Sequence, residues 1–402
     1  MFQPLLGLRV IDLSHVIAGP LASFYLAQLG AEVIKVEPPG NGDVMRTGRN
    51  PAEGDTPDGF VALNAGKRSL ALDIRTPAGA GAVRALARTA DVFIENFRPG
   101  VVARFGLDYA AIREIKPDII YCSISGYGQE GEWSHRGAYD HVVQALTGMM
   151  MMQGDAGHQA PMKVGFPAVD VAAGLLSALS VVAALRGRDC TGQGQHIDAS
   201  LVQAAQTLMY PHASAVLSGG SDPQRVGNRG YTGSPTADTY RCADGWLATA
   251  ANTPAQFRKL TGVLGLEDLC QDARALDLEA FQAASGFVVA RDMAYLRSRF
   301  DAAFAKQNAA EMEERLNAVG VPAARVRSLG EFLRETDGSS KLPGAGATFA
   351  QDARIVRTPG LGFQYAGDSG APRPGAERLG QSNGELLGEA ARLVEAQLGI
   401  AR

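Results

Sequence analysis

The sequence predicts a mixed α/β protein with a doubly wound parallel-sheet large domain and a smaller α+β domain. Up to about residue 201, short apolar runs alternate with alanine-rich helical stretches, which is the pattern of βαβ units. Turn-forming residues dominate positions 218–235, and beyond them two β-type runs flank an Ala-Asp-Gly turn at 243–245. We therefore expect residues 236–334 to form the smaller domain and residues 218–235 to link it to the large one.

The individual elements follow from the spacing of apolar residues along the chain. Continuous apolar runs bounded by turn formers predict strands, and longer alanine-rich or amphipathic stretches predict helices. The predicted strands are residues 9–13, 32–37, 91–94, 119–123, 239–242 and 246–251. The predicted helices are residues 21–30, 78–88, 171–185, 254–264, 293–306, 310–319 and 384–398.

The turn between the first strand and the first helix excludes a dinucleotide cofactor. Residues 8–43 show the strand–loop–helix–strand pattern of a nucleotide-binding βαβ unit. A dinucleotide site in such a unit requires a G-x-G-x-x-G turn, so that the backbone can approach the pyrophosphate. The predicted loop, residues 14–20, reads SHVIAGP and contains a single glycine, Gly19. Pro20 suits the first turn of a helix because its φ is fixed. A different ligand must therefore use the crevice beyond these strands.

Composition and charge exclude several classes of protein. The 402 residues include 38 basic and 42 acidic ones, giving a net charge of −4, so no basic field attracts nucleic acid or an anionic membrane. The nearest two of the four cysteines, Cys242 and Cys270, are 28 residues apart, which excludes C-x-x-C metal or redox sites. We expect no secretory signal, because the first residues lack a basic segment and a small-residue cleavage site, and we expect no membrane span, because no run approaches the ~18 apolar residues that it needs. We expect a cytoplasmic protein.

Several motifs occur in order along the first half of the chain. They are SHVIAGP at 14–20, LGAEVIKVEPPGNGD at 29–43, KRSLALD at 67–73, ENFRPG at 95–100, SGYG at 125–128, Tyr139-Asp140, KVGFP at 163–167, Asp170 and TGQGQ at 191–195. By these motifs the chain resembles the family III CoA-transferases, which include formyl-CoA:oxalate and carnitine CoA-transferases. The resemblance becomes weaker after about Gly233.

The resemblance implies an architecture and a set of partners. Residues 335–402 would pack back onto residues 1–217 to complete a large CoA-binding domain, and two subunits would thread through one another as an interlocked homodimer. The substrates would be an acyl-CoA and a small carboxylic acid. Coenzyme A would be a substrate, with no tightly bound cofactor, no metal site, and neither nucleic acid nor membrane as partner.

Asp170 is the candidate catalytic residue. Its position directly before the predicted apolar helix suggests an N-cap, and the resemblance implies a nucleophile that forms a covalent aspartyl intermediate with CoA. The two roles are compatible, because the helix dipole and free N–H groups at a helix N-terminus favour an ionised carboxylate. Backbone N–H groups of residues 227–233 or 14–19 are the candidates for stabilising the oxyanion, and the sequence does not choose between them.

The resemblance also implies a binding site for CoA. His15 and the backbone of Ile17 and Ala18 would face the pantetheine and diphosphate, and residues 72–75 would wall the adenine. The nucleotide end and the acyl end would be bound by residues of later loops. The full predicted set is His15, Ile17, Ala18, Leu72, Asp73, Ile74, Arg75, Asn96, Phe97, Arg98, Arg104, Ala138, Tyr139 and Asp140. From the residues alone, solvated surface charges are the better explanation of Arg98 and Arg104, and His15 is equally compatible with a packed side chain.

The acceptor and the reaction type have alternatives. Oxalate-using members have glutamine where this chain has Ile17 and arginine where it has Pro38, which argues against oxalate as acceptor. A short dicarboxylate such as succinate, malate, itaconate or glutarate, or a carnitine-like acid, stays open, with Arg46, Arg49 and Arg229 as possible carboxylate partners. An α-methylacyl-CoA racemase on the same fold is the second hypothesis. Its catalytic histidine position is Tyr139 here, although His141 lies two residues on. A CoA-binding protein without activity is the third.

Overall fold

The structure, a computed structural model, describes residues 2–47, 56–155, 157, 160–230, 233–283, 286–337, 339–342, 346–366 and 372–397. The chain forms two compact units. The larger unit contains Met1–Met150, Lys163–Ser221 and Pro343–Arg402. The smaller unit contains Met151–Met162 and Asp222–Leu342. The chain therefore leaves the larger unit and returns to it twice.

The strands and helices of the two units are numbered together in chain order. The strands are β1 (Arg9–Asp12), β2 (Glu32–Glu37), β3 (Arg68–Ala71), β4 (Val92–Glu95), β5 (Ile120–Ser125), β6 (Gln195–Ser200), β7 (Asp238–Arg241), β8 (Trp246–Thr249), β9 (Ala323–Arg325), β10 (Ala347–Gln351), β11 (Arg354–Thr358) and β12 (Arg373–Pro374). The helices are α1 (Ala18–Gln28), α2 (Asp58–Asn64), α3 (Pro77–Ala87), α4 (Tyr109–Ile115), α5 (Asp140–Leu146), α6 (Met149–Met152), α7 (Ala168–Thr191), α8 (Leu201–Leu208), α9 (Tyr210–Leu217), α10 (Pro254–Leu264), α11 (Leu278–Gln282), α12 (Met293–Phe304), α13 (Ala309–Ala318), α14 (Leu329–Thr336) and α15 (Asn383–Gln397).

A six-stranded parallel sheet with the order β3-β2-β1-β4-β5-β6 forms the centre of the larger unit. Neighbouring residues of one strand face opposite cores: Val10 and Val92 pack beneath α1, α7 and α8, whereas Ile11 and Phe93 pack beneath α3, α4 and α15. Every residue of β4 and β5 is buried, as expected for central strands covered on both faces, and most of these residues are apolar. The predicted mixed α/β fold with a doubly wound parallel sheet is confirmed.

Helix α1 begins three residues earlier than the sequence predicted, at Ala18 instead of residue 21. Pro20 is the third helical residue, where its missing N–H needs no partner within the helix. The helix ends at Gln28 because Gly30 adopts φ 107°, and Ala31 then donates its N–H to the Leu26 carbonyl at 3.0 Å. This Schellman motif turns the chain directly into β2.

Helix α7 has the length and composition of a membrane-spanning helix. Within the described ranges it is the only such helix, with a mean hydropathy of 2.1 over its most apolar window. The sequence analysis was wrong on this point. Small residues separate the larger apolar residues of this segment, so it does not form an obvious apolar run although its mean hydropathy is high. In the structure 44% of that window is buried, and α7 packs against α1 and α8. A core helix of a soluble protein passes the same test.

The C-terminal segment covers the open edge of the parallel sheet at β3. The Gly375 carbonyl accepts the Gly66 N–H at 3.0 Å, and the Ser382 N–H donates to the Ser69 carbonyl at 3.1 Å. Asn383 accepts the Ala71 N–H at 2.8 Å through its side chain. These bonds satisfy edge groups that would otherwise be free to pair with another strand.

The smaller unit contains an antiparallel sheet with the order β7-β8-β9 and a separate apolar core. Strands β7 and β8 form the predicted hairpin, and α10 has the predicted bounds, 254–264. Thr253 caps α10 with a reciprocal bond pair to Gln256, which fixes where that helix starts. Strand β9 is three residues long and was not predicted, because its Ala-Ala-Arg sequence has no strand pattern.

Candidate active site

The candidate site lies where the strand order of the parallel sheet reverses, beyond the carboxyl ends of β1 and β4. In doubly wound sheets the two loops that leave such strands diverge and open a crevice for a ligand. Here the loops are residues 13–17 and 96–101, and α7 packs against α1, the helix that follows the first of them. The sequence-predicted residues of the larger unit can now be placed on this frame.

The loop between β1 and α1 is fixed by side chains of neighbouring segments. Asn96 accepts the His15 N–H through Oδ1 at 3.0 Å and donates Nδ2 to the His15 carbonyl at 2.7 Å. Lys35 donates to the Ser14 carbonyl at 2.8 Å, and Asp12 accepts the Ser14 N–H at 2.9 Å. The backbone groups of two consecutive loop residues are thus satisfied by side chains instead of by regular secondary structure.

Val16, the next residue of this loop, has a left-handed backbone with φ 71°. This conformation is unfavourable for a β-branched residue by about 1–3 kcal/mol and persists only where the surroundings impose it. The Val16 N–H donates to Asp43 Oδ1 at 3.3 Å, and the preceding residue is clamped by Asn96. The sequence carried no signal for this strain, because left-handed backbone is associated with glycine and asparagine.

Four buried charged side chains lie beneath the loop. Lys67 Nζ is 3.2 Å from Asp12 Oδ2, and Lys35 Nζ is 3.0 Å from Asp43 Oδ2. None of the four side chains is more than 2% exposed. Lys67 also donates to the Pro20 carbonyl at 2.8 Å, at the start of α1. Burial lowers the pKa of Lys67 to about 8, against the opposing effect of Asp12. Sequence reasoning gave these residues no role, although charged residues inside otherwise apolar strands are a usable signal.

Two of the three arginines proposed as acceptor partners can be located. Arg46 makes two bonds of 2.7 Å to the buried Glu37 carboxylate, so the prediction that it binds the acceptor is wrong. An arginine engaged in this way is not available to a second carboxylate without leaving Glu37 unpaired. Arg229 lies in the smaller unit, where its Nε donates to the Val226 carbonyl at 3.3 Å. Arg49 lies outside the described residues.

The N-terminus of α1 presents free backbone donors. The N–H groups of residues 14, 15 and 16 are bonded to side chains, whereas those of Ile17, Ala18 and Gly19 have no partner among the described residues. The first N–H groups of a helix have no intrahelical acceptor, so they are available to an anion or oxyanion. Part of the other candidate segment, residues 231 and 232 of 227–233, lies outside the described residues.

Asp140 binds the first turn of α7. Its Oδ2 accepts the N–H of Val169 at 2.7 Å and of Asp170 at 3.1 Å, and its Oδ1 accepts Gln144 Nε2 at 2.5 Å. Gln144 in turn accepts the Val164 N–H at 2.9 Å and is fully buried. Asp140 therefore takes the capping role that the sequence analysis assigned to Asp170. That assignment was wrong because α7 begins at Ala168, which makes Asp170 its third residue.

The carboxyl group of Asp170 lies in a desolvated and negatively charged environment. Burial first, and the neighbouring Asp140 second, raise its pKa to about 6. The sequence analysis expected the helix dipole to favour the ionised form, and the direction is the opposite, because Asp140 already accepts the helix N–H groups that would have stabilised it. Gly174 lies one turn further on the same face, where a Cβ would come within 2.7 Å of the Ala18 carbonyl. Asp170 thus lies on the face of α7 that meets α1.

Further residues predicted to bind CoA lie at the same edge of the sheet. The Phe97 and His15 rings pack edge to face, with centroids 4.9 Å apart. The Arg98 guanidinium lies against Gly137, where a Cβ would come within 2.8 Å of it. Tyr139 is 70% exposed. Leu72 and Ile74 contact the core beneath the turn that follows β3.

Two arginines of the predicted CoA site lie on the surface. Arg75 is 74% exposed and forms an ion pair with Asp73 at 2.8 Å, within its own turn. Arg104 lies in the exposed part of a short 3₁₀ turn after β4. Both side chains are able to reorient toward a ligand, because neither is buried.

Comparison with known proteins identifies the family. The sequence model of CoA-transferase family III matches residues 5–383. This chain belongs to CoA-transferase family III. A succinate–glutarate CoA-transferase of Agrobacterium fabrum is 40% identical over 277 residues, which are 67% of this chain and 69% of the relative. An acetyl-CoA:oxalate CoA-transferase of Acetobacter aceti is 33% identical over 390 residues, 96% of this chain and 95% of the relative. A CAIB/BAIF family protein from Brucella suis has a TM-score of 0.80 at 30% identity, over 97% of this chain and 100% of that one.

The geometry of this family III CoA-transferase argues against the racemase hypothesis. The position of the racemase histidine is occupied by Tyr139, and its ring stacks beside that of His141 at 6.4 Å. The Asp140 carboxylate accepts two backbone N–H bonds, which is a structural role. The described residues therefore show no histidine–aspartate pair at this position, and the named relatives are transferases.

Proposed function

We propose that this enzyme moves CoA from an acyl-CoA donor to a short dicarboxylic acid through a covalent intermediate on Asp170. The observation that carries the proposal is the position of the Asp170 carboxyl group at the start of α7, on the face that meets α1. The Asp140 carboxylate already accepts the backbone N–H groups of Val169 and Asp170, so these groups are not free to stabilise the Asp170 carboxylate. A carboxylate with a raised pKa is a better nucleophile than a fully solvated one, yet at neutral pH it is still mostly ionised.

The reaction proceeds by exchange of acyl groups. The Asp170 carboxylate attacks the thioester carbonyl, the C–S bond breaks, and a mixed anhydride and CoA thiolate form. The thiolate then attacks the Asp170 carbonyl carbon, which releases the donor acid and leaves an aspartyl-CoA thioester. The acceptor carboxylate attacks this thioester, which breaks the C–S bond, releases the CoA thiolate and forms a second mixed anhydride. The thiolate then attacks the acceptor carbonyl carbon, giving the new acyl-CoA and free Asp170. One thioester is exchanged for another, so no nucleotide triphosphate is consumed.

Each attack creates an oxyanion that needs donors. The free N–H groups of Ile17, Ala18 and Gly19 begin the helix that α7 contacts through Gly174. Preorganised backbone donors of this kind stabilise a developing oxyanion without reorganisation during the reaction. The strained Val16 and its clamps fix the direction in which these donors point. We assign them to the thioester oxygen.

The acyl-CoA would lie along the carboxyl edge of the sheet. His15, Asn96 and Phe97 form one contiguous surface there, and Arg98 extends it toward the loop of Ala138. Arg75 and Arg104 supply positive charge for the phosphates at exposed positions. The first relative is named for succinate and glutarate, and Ile17 replaces the glutamine of oxalate users, so a four- or five-carbon dicarboxylate is our proposed acceptor.

The experiment that tests the proposal is direct. Enzyme is incubated with succinyl-CoA and a panel of carboxylic acids that includes glutarate, itaconate, malate and oxalate, and new acyl-CoAs are measured by mass spectrometry. We expect glutaryl-CoA or a comparable dicarboxyl-CoA to form and oxalyl-CoA to form more slowly. Exchange of the α-proton of a 2-methylacyl-CoA with deuterated solvent, without any transfer, would support the racemase instead.

The pH dependence of transfer is expected to report Asp170. Because only the ionised carboxylate attacks, kcat/KM should rise with pH with a midpoint near 6 and not near 4. Asp140→Asn removes the negative charge but keeps an oxygen for the two N–H bonds, so the midpoint should move to lower pH. Asp118→Asn, which removes an equal charge before β5 at the opposite sheet edge, should leave it unchanged. A wild-type midpoint near 4 would contradict this assignment.

We also propose that the enzyme is a homodimer. An apolar surface of the larger unit extends over α7, α8 and α9, where Leu179 is 66%, Leu208 49% and Leu217 85% exposed. Exposed apolar side chains on neighbouring helices are typical of an interface, and the family resemblance implies a second copy as its occupant. Sedimentation velocity should give a dimer that persists on dilution to nanomolar concentration, and a freely exchanging monomer would refute the interlocked arrangement.

A further inference from the structure

Glu95 is a buried carboxyl group for which the transfer chemistry has no role. It is the last residue of β4 and is 2% exposed. In the sheet register it lies beside Ser123 of β5, which lies beside Asp198 of β6. Burial, and secondarily the charge of Asp198, raise the pKa of Glu95 to about 7, and no cation is among the groups that set it. A carboxyl group buried without a cation needs a physical reason.

One oxygen of Glu95 supports the loop that follows β4. Its Oε2 accepts the Phe97 backbone N–H at 2.8 Å. The Phe97 ring packs against His15. Asn96, which lies between Glu95 and Phe97 in the sequence, hydrogen-bonds both backbone groups of His15. Through this one bond to the Phe97 N–H, Glu95 therefore fixes residues 96–98, which are three residues of the proposed CoA site. Asn96 in this segment holds a fourth, His15.

The carboxyl group is itself oriented from the opposite side. Ser123 lies beside Glu95 in the sheet register, and its hydroxyl lies 3.1 Å from His196 Nε2. The His196 ring stacks on Tyr109 with centroids 4.6 Å apart, which fixes the imidazole. Ser123 has one proton, so it donates to the carboxylate while accepting from Nε2–H, or donates to Nε2 while accepting from the protonated carboxyl. In both arrangements Ser123 and His196 would hold the Glu95 carboxyl group in place.

We propose that Glu95 is a positioning residue for acyl-CoA, oriented by Ser123 and His196, which holds residues 96–98 in the conformation that binds the nucleotide. The inference rests on the proposed function, because it takes residues 96–98 to contact CoA. Glu95 itself touches neither the thioester nor Asp170 in this scheme. Its loss therefore weakens acyl-CoA binding much more than it slows turnover at saturation.

The test compares Glu95→Ala with Glu95→Gln, assayed with succinyl-CoA and glutarate. Glu95→Ala removes the acceptor of the Phe97 N–H, and we expect KM for succinyl-CoA to rise about tenfold while kcat changes by less than about threefold. In Glu95→Gln the amide oxygen accepts the Phe97 N–H and the amide nitrogen donates to Ser123, as a protonated carboxyl would. We expect this variant to keep KM within about threefold of the wild type.

Glu32 provides the matched control. It lies at the start of β2, at the opposite edge of the same sheet, and pairs with Arg9 at 2.7 Å and Arg68 at 2.8 Å. Glu32→Ala should lower stability without changing KM, so an effect of Glu95→Ala on KM cannot be a general result of weakening the sheet. An unchanged KM in a folded Glu95→Ala enzyme, or a Glu95→Gln enzyme as impaired as Glu95→Ala, overturns the proposal.

A second variant covers the case in which Glu95→Ala does not fold. Ser123→Ala leaves Glu95 in place and adds no volume, and we expect it to raise KM about three- to fivefold, because the carboxyl is then held from one side only. An unchanged KM in Ser123→Ala counts against the proposal. Calorimetric titration of the wild-type enzyme with CoA separates the two claims: if the wild type fails to bind CoA, the proposed function is wrong, whereas normal wild-type binding with unaffected variants refutes only the role of Glu95.

Discussion

Asp170→Asn is expected to lower the rate of CoA transfer by about 10³-fold or more while leaving CoA binding nearly unchanged. An amide has the shape of the carboxyl but offers no anionic oxygen to attack the thioester. Asp140 would still accept the N–H groups of the first turn, so α7 should keep its start. The measurement is single-turnover mass spectrometry with succinyl-CoA and no acceptor. Wild-type enzyme should accumulate an acyl or CoA adduct on the peptide containing Asp170, which hydroxylamine converts to a hydroxamate, and the variant should form none.

The same substitution should stabilise the folded protein at neutral pH. The folded state raises the pKa of Asp170 to about 6, so above that pH the ionised carboxylate opposes folding. The shift from its ordinary value corresponds to about 3 kcal/mol for a fully buried group, and solvent screening of the partly buried Asp170 reduces this to about 1–2 kcal/mol. Urea unfolding should show the gain at pH 8 and its disappearance as pH falls from 6 to 4. A variant without this gain in stability at pH 8 would contradict the raised pKa of Asp170. In the transfer assay, CoA transfer retained by Asp170→Asn would refute the covalent mechanism.

Lys67→Met is expected to give the largest loss of stability, about 3–5 kcal/mol in the free energy of unfolding. The change leaves Asp12 buried without its closest cation and removes the donor to the Pro20 carbonyl. The loop above the cluster should then lose its fixed backbone, so the remaining folded enzyme should also bind acyl-CoA more weakly. Urea denaturation followed by circular dichroism measures the first effect, and titration with CoA measures the second.

Two controls isolate the buried pair. Lys116→Met breaks a partly exposed pair with Asp118 and should change stability by less than about 1 kcal/mol. Asp12→Asn combined with Lys67→Met removes both charges, so the double variant should be more stable than Lys67→Met alone. If the double variant is as unstable as the sum of the two single changes, the pair has no interaction energy and the account of the cluster is wrong.

Most of the fold was predictable because its signals are local. Strands β2, β4 and β5 are rich in apolar residues, as burial on both faces favours, and alanine-rich stretches between them indicated the helices. The boundaries were less predictable. The starts of α1 and α7 were misplaced by three residues each, because Pro20 and Pro167 are compatible with positions inside or just before a helix.

The site was predictable only in part. Motifs indicated which loops matter, and the structure brings His15, Asn96 and Phe97 into direct contact. The supporting residues were not predictable, because their partners are distant in sequence: Asp12 and Lys67 are 55 positions apart. Arg46, proposed as an acceptor ligand, forms a buried pair with Glu37 instead, and nothing in its local sequence distinguishes the two roles.

The sequence by itself determined the strand pattern, the absence of a dinucleotide-binding turn, and the placement of Asp170 near the start of a helix. Only the tertiary structure decided the direction in which the pKa of that carboxyl group is shifted and which residue binds the N–H groups of the first helical turn. Asp140, 30 positions earlier, takes the N–H bonds of the first turn and adds a negative charge, while packing removes water from Asp170. Desolvation and through-space charge depend on which distant segments pack together, so no local pattern could give the direction of the pKa shift.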